Sequence, residues 1–569
     1  MTAFKTTAVT VLEIDLDRCA NTYGVSPCTA SGGPGAECYN TWSSCQDKPN
    51  FVKTTKTWRF CTGGAPQPVG EQLRPYIADV SSSPTEIDME SGLARRAAVN
   101  VVMRDEPDSD VEADPYIANR AAPAQGTFWS RLIARNRNYS GRFARIRRAY
   151  LGGTWDWGDF TDELYIVDSI KGPAANGRVE IALKDPVKLA DRRKVPEPST
   201  GKLAAELAAT DLSLTLEPGQ GADYPASGHV RVGDEVIAYD ANAGDVLSWP
   251  GLGNRAQFGT AAVEAGIGET VQVCQVWIGV TATTVLSDLL LAGDIPPANI
   301  DTAGFAAEDA FWLGTGYRIT VCLSEPETAA TLVADLAVQL GGYLWWDPVG
   351  QTVRFRVLAP LRPSQAVAAT LRDASEVIEG SGRVETLDGL RTTVRGMLYA
   401  IASATADRDE AVNYLRAQLY VDAEAESANE YGDRRTHLLK SRWFGAANDG
   451  AVLAQVSRAA AYYRDAPRKL DLAVDAKDAG LREGDIVDLE TAMLAGLDGA
   501  AKTTRCIVVW RRDERGRVAL RLRSTRPGDR RHAFIAPNGT ADYPTDTVYA
   551  HMAPTAAGFA DTGEPYRII

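Results

Sequence analysis

The chain has 569 residues, of which 45% are apolar and 24% charged, so it is long enough for roughly three to five domains with full-sized cores. Its formal net charge of −14 argues against nucleic-acid binding through the overall electrostatic field. No apolar run approaches the roughly 20 residues that span a bilayer, and the start of the sequence lacks a signal-peptide pattern. We therefore expect the protein to be made in a reducing cytoplasm.

Most segments predict β-strands, because apolar and polar residues alternate between clusters of Gly and Pro. The stretches with this pattern are, in chain order, 8–16, 163–170, 229–240, 351–360, 505–513 and 517–524. Helical spacing is clear in 325–342, which ends in a Gly pair, and in the Ala-rich 446–467. Between these two, 341–355 predicts a hairpin. The predicted fold class is mainly β with short helices (α+β), in several domains.

Shifts in pattern divide the chain into six predicted parts. Residues 1–75 form a cysteine-rich segment, and 76–195 form a β domain that ends in a linker-like run, "KVPEPSTGK". The other parts are a small β insertion domain (196–283), an α+β domain (284–380), a β-rich domain with one helix (381–530) and a C-terminal arm (531–569). The arm has weak periodicity and many turn residues, so we expect it to be ordered only against something else, such as another chain.

Five of the eight cysteines lie within the first 61 residues. Cys19, Cys28, Cys38 and Cys45 are separated by eight, nine and six residues, with turn-forming stretches between them. Such loops allow four thiolates to converge, and thiolate tetrads bind Zn²⁺ or iron–sulfur clusters. The C-x2-C pairs of zinc ribbons and bacterial ferredoxins are absent from this segment, so the spacing predicts a metal site without fixing the metal. Ordinary buried or free thiols and disulfides are the alternatives.

The other four cysteines stand in apolar strand contexts, where a thiol behaves as a small buried apolar side chain. We predict that role for Cys61, Cys274, Cys322 and Cys506.

The segment "LEIDLDRCANTYGVSPCTA…ECYNTWSSCQD" resembles the N-terminal signature of tail-tip (baseplate) hub proteins from siphoviruses and gene transfer agents. That signature joins a "C…YG…PC" half to a "CYNT…CQD" half. The matching residues here are Cys19, Tyr23, Gly24, Pro27 and Cys28, then Cys38, Tyr39, Asn40, Thr41, Cys45, Gln46 and Asp47. The resemblance implies a [4Fe–4S] cluster whose irons are ligated by Cys19, Cys28, Cys38 and Cys45, with Zn²⁺ as the second choice. Cys61 is outside this implied set.

Weaker resemblances extend along the chain. Residues 230–273 resemble a small β module of phage tail proteins, in which a "gE…i.Y" strand pair precedes "RG..GT.A..H..G..V". Glu264 stands where that module usually has a histidine. The stretch 470–491 and the beginning of the arm, 532–544, also resemble hub segments.

The family resemblance implies a structural baseplate hub protein with β-barrel-like domains, assembled as a homotrimer at the tail tip of a virion after synthesis in the host cytoplasm. Such a hub forms or closes the end of the tail tube and supports receptor-binding proteins until DNA ejection. Its implied partners are the distal tail protein, the tape-measure protein and receptor-binding or fibre proteins. Neither catalysis, a membrane span nor sequence-specific nucleic-acid binding is implied. The alternatives are a tail-associated cell-wall hydrolase and a soluble iron–sulfur redox or sensor protein.

Three further stretches could carry chemistry, and a structural role is the simpler hypothesis for each. Seven arginines in 131–148 could contact phosphate, but the alternation in "RFARIRRAY" favours a pair of strands with solvated or inter-subunit arginines. Asp156 and Asp159 could form a glycosidase pair, yet their context favours a Trp-anchored turn. The acidic run 104–115 favours an exposed loop over a calcium site, because D-x-D-x-D-G spacing is missing.

The histidines are isolated in the sequence, and no HExxH motif occurs, which disfavours a zinc hydrolase. They are His229, His437, His532 and His551.

Overall fold

The computed structural model describes residues 7–31, 38–71, 73–120, 125–152, 154–359, 366–373, 375–475, 480–496, 498–514 and 517–525, and the backbone of 534–535 and 567–568. Within these residues the chain is mainly β, with several sheets and short helices, which confirms the predicted fold class. It divides into two compact units. The first lies within 1–84, 96–188 and 346–352, and the second within 85–95, 189–345 and 353–569. The division into six parts stays a prediction.

The first unit is built on seven strands and one α-helix in its described residues. They are β1 (Thr7–Cys19), β2 (Lys53–Thr62), β3 (Arg74–Ser83), β4 (Ala98–Arg104), α1 (Phe128–Arg135), β5 (Phe143–Leu151), β6 (Thr161–Lys171) and β7 (Arg178–Lys184). The strands close a barrel in the order β1-β2-β3-β4-β7-β6-β5, in which β2 and β3 run parallel and the other neighbours antiparallel.

Alternating side chains fill the barrel. In β7, Val179, Ile181 and Leu183 are fully buried, whereas the residues between them are more exposed, as the two-residue period of a strand requires. Phe128 and Trp129 at the start of α1 join the same core, where the Trp129 ring stacks on Phe60 with a centroid distance of 5.0 Å. The helix therefore anchors in the barrel core.

The second unit begins with short strands around an antiparallel sheet. These strands are β8 (Lys194–Val195), β9 (Ser213–Thr215), β10 (Gly228–Val232), β11 (Glu235–Tyr239), β12 (Ala241–Ala243), β13 (Val246–Ser248), β14 (Val271–Thr281), β15 (Arg318–Leu323) and β16 (Glu327–Thr328). They form the sheets β11-β10-β14-β15, β12-β13-β9 and β16-β8. The predicted strand stretch 229–240 is the β10–β11 hairpin.

The remaining strands form a hairpin, two larger sheets and one short pair. They are β17 (Gly342–Asp347), β18 (Thr352–Val357), β19 (Ala369–Arg372), β20 (Arg383–Thr386), β21 (Val394–Ile401), β22 (Tyr414–Val421), β23 (Thr436–Lys440), β24 (Arg468–Asp475), β25 (Ile486–Ala495), β26 (Ala501–Glu514), β27 (Arg517–Ser524), β28 (Phe534–Ile535) and β29 (Arg567–Ile568). The sheets are β17-β18, β19-β25-β26-β27-β24-β20, β22-β21-β23 and β28-β29. The predicted hairpin over 341–355 is confirmed.

The α-helices after α1 are α2 (Ala282–Ala292), α3 (Thr302–Glu308), α4 (Ala329–Gln339), α5 (Ala423–Glu426) and α6 (Asp449–Tyr463). Both predicted helices are confirmed as α4 and α6. The prediction of two strands over 131–148 is wrong in its first part, because 131–135 belong to α1 and the only strand in this stretch is β5. Thr127 and Ser130 form a capping box there, so the backbone enters a helix.

A buried ion pair lies at the centre of the small β module in the second unit. Arg255 donates two hydrogen bonds of 2.6 Å to the carboxylate of Glu235, and both side chains are only 1% exposed. The same carboxylate accepts the backbone N–H of Ala256 and Val263, while Arg255 also donates to the Ala208 carbonyl. These are the Glu and Arg of the module pattern seen in the sequence, so the pattern encodes this contact.

Replacing Glu235 with Gln should loosen the module strongly. The substitution leaves the Arg255 guanidinium buried without a counter-charge, which costs about 3–5 kcal/mol. We expect faster amide hydrogen exchange in the β10–β11 hairpin, measured by mass spectrometry.

A matched control is Arg372→Gln, which breaks the exposed pair with Glu490. Exposed pairs contribute about 0–1 kcal/mol, so exchange should stay close to that of the unmodified chain. Equal exchange in the two variants would contradict the assigned role of the buried pair.

Candidate metal centre

Four cysteines of the first unit line a single cavity. Cys19 is the last residue of β1, and Cys45 follows a short 3-10 turn over Trp42–Ser44. Cys28 and Cys38 lie in the irregular chain between them, and all four thiols contribute to the cavity wall. All eight cysteines are free thiols. The four residues predicted as ligands are therefore brought together by the fold.

The other cysteines are buried away from this cavity, as predicted. Cys61 lies with Val9 and Val11 in a cluster of apolar side chains, and Cys274 lies with Cys322 in another. Cys506 is fully buried in the core of the large sheet.

The thiols of the cavity are close enough to influence one another's ionisation. Burial raises the pKa of Cys38, and the neighbouring Cys45, Cys28 and Cys19 raise it further. The pKa of Cys45 is raised in the same way, by burial and then by Cys19 and Cys28. The raised pKa values favour the neutral thiols, and a cationic centre that binds the sulfurs would favour the thiolates instead.

The two halves of the cysteine signature are joined by side-chain hydrogen bonds. The Asp47 carboxylate accepts the Thr29 backbone N–H at 2.6 Å and the Asn50 amide at 3.1 Å. The Tyr23 hydroxyl donates to Gln46 at 3.2 Å. The hydrogen bond from the Thr29 backbone contributes most to holding the pKa of Asp47 below its usual range. Signature residues beside the cysteines thus fix the loops that carry the thiols.

The Tyr39 ring lies between two guanidinium groups. Arg120 and Arg135 approach its centroid at 4.4 and 3.9 Å. Each arginine is held by a carboxylate that is only 2% exposed: Asp114 binds Arg120 at 2.7 Å, and Asp110 binds Arg135 through two hydrogen bonds of 2.8 and 2.7 Å. Bidentate pairing fixes the guanidinium plane, and cation–π attraction then fixes the ring.

The loop around Tyr116 also binds the backbone of the cysteine segment. Arg120 donates to the Cys38 carbonyl at 2.6 Å. The Tyr116 hydroxyl donates to Asn40 at 2.9 Å and accepts the Tyr23 backbone N–H at 2.8 Å. Both halves of the signature therefore rest on this one loop, whose residues the sequence analysis did not single out.

The acidic run 104–115 is mainly a loop after β4, as expected, and half of its residues are exposed. Asp110 and Asp114 are nevertheless buried because they neutralise arginines of the same unit, and the half-buried Asp108 binds Arg74. The sequence did not predict these two buried carboxylates, because a count of acidic residues does not show which cations lie opposite them. Their engagement with arginines also leaves no support for the calcium alternative.

The arginines of β5 are paired within the first unit. Arg145 binds Asp15 at 3.0 Å, Arg147 binds Glu13 at 3.3 Å, and Arg148 binds Glu163 at 3.0 Å. Arg142 binds Asp17. We expected solvated or inter-subunit arginines, but cross-strand carboxylates compensate these charges, which disfavours a phosphate-binding surface.

The Asp156/Asp159 pair lies in the Trp-anchored turn that we predicted. Asp156 accepts the backbone N–H of Gly158 at 2.9 Å and thereby caps a 3-10 turn. Trp155, Trp157 and Phe160 pack against one another, with ring centroids 5.0–5.2 Å apart.

His229 and His437 are far apart in the sequence of the second unit, whereas His532, His551 and most of the predicted C-terminal arm lie outside the described residues.

Within the described part of the chain, no three His, Cys, Asp or Glu side chains are arranged to hold a metal ion. None of the described helices has the length and apolar character needed to cross a bilayer.

No protein-family model and no curated protein matches the chain. Among solved structures, it is similar to the 43 kDa tail protein of prophage MuSo2 from Shewanella oneidensis, with 12% identity, coverage of 81% of this chain and 97% of that one, and a TM-score of 0.38. A tail protein from Neisseria meningitidis MC58 has 10% identity, coverage of 80% and 94%, and a TM-score of 0.37. A chain of a native gene transfer agent particle has 15% identity, coverage of 62% and 87%, and a TM-score of 0.30. With TM-scores below 0.5, these similarities support no assignment by themselves.

Removing the Arg120 guanidinium should release the cysteine segment from its supporting loop. Arg120→Gln leaves Asp114 buried without its cation, removes one face of the Tyr39 contact and loses the hydrogen bond to the Cys38 carbonyl. Breaking a buried pair costs about 3–5 kcal/mol. We expect the Cys38 thiol to react at least tenfold faster with a maleimide, measured by mass spectrometry of the labelled peptides.

Arg178→Gln is the control in the same unit, because Arg178 and its partner Glu180 are both about half exposed. Its labelling rate at Cys38 should equal that of the unmodified chain. A rate in Arg120→Gln that is also unchanged would refute the supporting role of Arg120.

Proposed function

We propose that this protein is a structural hub of a phage-type tail tip whose N-terminal segment binds a [4Fe–4S] cluster through Cys19, Cys28, Cys38 and Cys45. The observation that carries the proposal is the shared cavity of these four thiols. They are the cysteines of a signature that resembles tail-tip hub proteins, and its other residues hold the loops around the cavity. A β-barrel as the scaffold of this segment is compatible with that family.

The four-cysteine donor set suits both a cluster and a single zinc ion, and the resemblance to tail-tip hub proteins is what favours the cluster. Zinc requires four sulfurs within about 2.3 Å of one point. In a [4Fe–4S] cluster each thiolate binds its own iron, so the sulfurs surround a wider centre. The four cysteines line one cavity wall, and the metal content of the purified protein distinguishes the two centres.

The cluster's proposed role is structural. The segment between β1 and β2 contains little regular structure and few buried apolar residues, so it has a small core of its own. Bonds from thiolates to a metal centre supply folding free energy to such a segment. When bound, the group would supply cross-links between loops, while Asp47, Tyr116 and Arg120 orient the chain that carries the ligands.

In the proposed assembly the chain forms a homotrimer at the virion tail tip, where it closes or continues the tail tube until DNA ejection. It would contact the distal tail protein, the tape-measure protein and receptor-binding or fibre proteins. No catalytic step is part of this role.

Anaerobically purified protein should contain about four irons and four acid-labile sulfides per chain and absorb broadly near ~400 nm. Cys38→Ser should lower the iron content by more than half and reduce protease resistance of residues 7–62, because one ligand of the segment is lost. Iron analysis, absorbance and limited proteolysis provide three independent readouts.

The control variant is Cys61→Ala, whose thiol is buried outside the cavity, and it should retain full iron content. One zinc per chain would keep the four ligands but exclude the cluster. Neither metal in the purified chain, with four freely titrating thiols near the N-terminus, would refute the metal centre.

The tail-tip role is tested separately on particles. A virion or gene-transfer particle that carries an epitope-tagged copy of this chain should bind gold-labelled antibody at the tail end distal to the head. Tagged protein that is absent from purified particles, or antibody bound along the whole tail, would refute the hub assignment whatever the metal content.

A further inference from the structure

A cavity of about 170 Å³ lies in the second unit, well away in sequence from the cysteine segment. Helix α6 lines it with Gln455, Arg458 and Tyr463, and the facing sheet lines it with Arg395 and His437. Arg395 of β21 and His437 of β23 are direct cross-strand partners. For comparison, an apolar protein cavity of about 150 Å³ accepts benzene.

Arg395 brings a positive charge to this cavity without a matching carboxylate. Its Nε donates to the Thr392 hydroxyl at 2.9 Å, one terminal nitrogen lies 3.4 Å from His437 Nδ1, and its guanidinium covers the Tyr463 ring at 4.0 Å. Among the described residues, no Asp or Glu forms an ion pair with Arg395. Arg395 is half-buried, and a guanidinium that is partly removed from water is usually paired with a carboxylate.

Gln455 is the second polar group that the cavity wall presents. Its side chain is only 3% exposed, and the residue lines the cavity. A side-chain amide carries two N–H donors and one carbonyl acceptor, so it can hydrogen-bond a ligand that enters the cavity. Gly341, with a φ of +69°, lies beside the Gln455 amide. A Cβ at this position would come within 3.3 Å of the amide nitrogen, so glycine leaves room for the Gln455 side chain.

The other charged groups leave the cavity with an excess of positive charge. Arg458 donates to the Trp312 carbonyl and the Tyr317 hydroxyl and forms no ion pair with a described carboxylate. Glu90 is the acidic group of the wall, and its Oε1 accepts hydrogen bonds from Arg523 at 2.6 Å and Tyr463 at 3.1 Å. Burial lowers the pKa of Arg395, and the charges of Tyr463 and Glu90 act in the opposite direction, so Glu90 is shared between Arg523 and Arg395. Proximity to Arg395 adds to burial in lowering the pKa of His437, which favours its neutral form at the mouth.

We propose that this cavity binds a small carboxylate ligand, with Arg395 pairing with the carboxylate and the Gln455 amide donating to it. A planar guanidinium matches a carboxylate through two parallel hydrogen bonds. Met89, Leu358 and Leu439 line the remaining wall and would pack against an apolar body of roughly the size of a benzene ring. This site is independent of the proposed hub role and of the cysteine cavity.

The test is isothermal titration of the full chain with benzoate, its neutral isostere benzamide and inorganic phosphate. We expect saturable binding of benzoate and at least tenfold weaker binding of the other two, because benzamide lacks the charge and phosphate lacks the apolar body. Equal binding of benzamide would identify an apolar cavity and overturn the proposal. Equal or tighter binding of phosphate would overturn the carboxylate class, and no binding of benzoate at millimolar concentration would overturn the site.

Two variants locate the binding. Arg395→Gln and Gln455→Leu should each weaken benzoate binding at least tenfold, whereas Arg416→Gln should leave it unchanged. Arg416 is the matched control, because it lies on the adjacent β22 and pairs with the half-exposed Asp449. If Arg395→Gln shows altered circular dichroism, Gln455→Leu decides the matter alone. Undiminished binding in a folded variant would overturn the proposal.

Discussion

The contact between Tyr39 and the two guanidinium groups of Arg120 and Arg135 attaches the cysteine segment to the barrel. The segment itself is short of apolar side chains, so it cannot hold its shape by burial alone. A loop and helix α1 of the same unit provide fixed cations instead, because Asp114 and Asp110 hold Arg120 and Arg135 beside the ring. The positions of the thiols thus depend on electrostatic contacts formed some 80 to 100 residues further along the chain.

Charge is buried in two different ways within the chain. In the first unit some charged groups share partners: Asp110 pairs with Arg131 and Arg135, and Arg147 pairs with Glu13 and Asp162. In the small β module a single ion pair, Glu235 with Arg255, is hydrogen-bonded to the backbone groups around it. Arg395 forms no ion pair with a described carboxylate, unlike the arginines of these two arrangements. That difference is the reason for assigning it a ligand.

Sequence patterns predicted the regular elements well where one face of an element is apolar. The alternation in 163–170 and 517–524 corresponds to β6 and β27, and the 3.6-residue spacing corresponds to α4 and α6. Helix α2 was not predicted: its buried Val285, Leu286, Leu289 and Leu290 follow a helical period, but the exposed Leu291 extends them to an apolar run that hides the period in the sequence. The four cysteines were predicted as a group from their number and from the turns between them. Their supporting residues were not, because ion pairs such as Arg120 with Asp114 leave no periodic trace in a sequence.

Every partner of the Glu235–Arg255 pair comes from a short continuous stretch between Ala208 and Val263. The Glu235–Arg255 pair therefore finds its counter-charge and its hydrogen-bond partners within the module and needs none from the flanking sequence. A segment of that kind can be inserted into, or removed from, a loop of a larger protein without leaving an unpaired buried charge behind. Self-contained neutralisation of this sort would let the module fold between different flanking sequences, provided that its two ends are compatible with them.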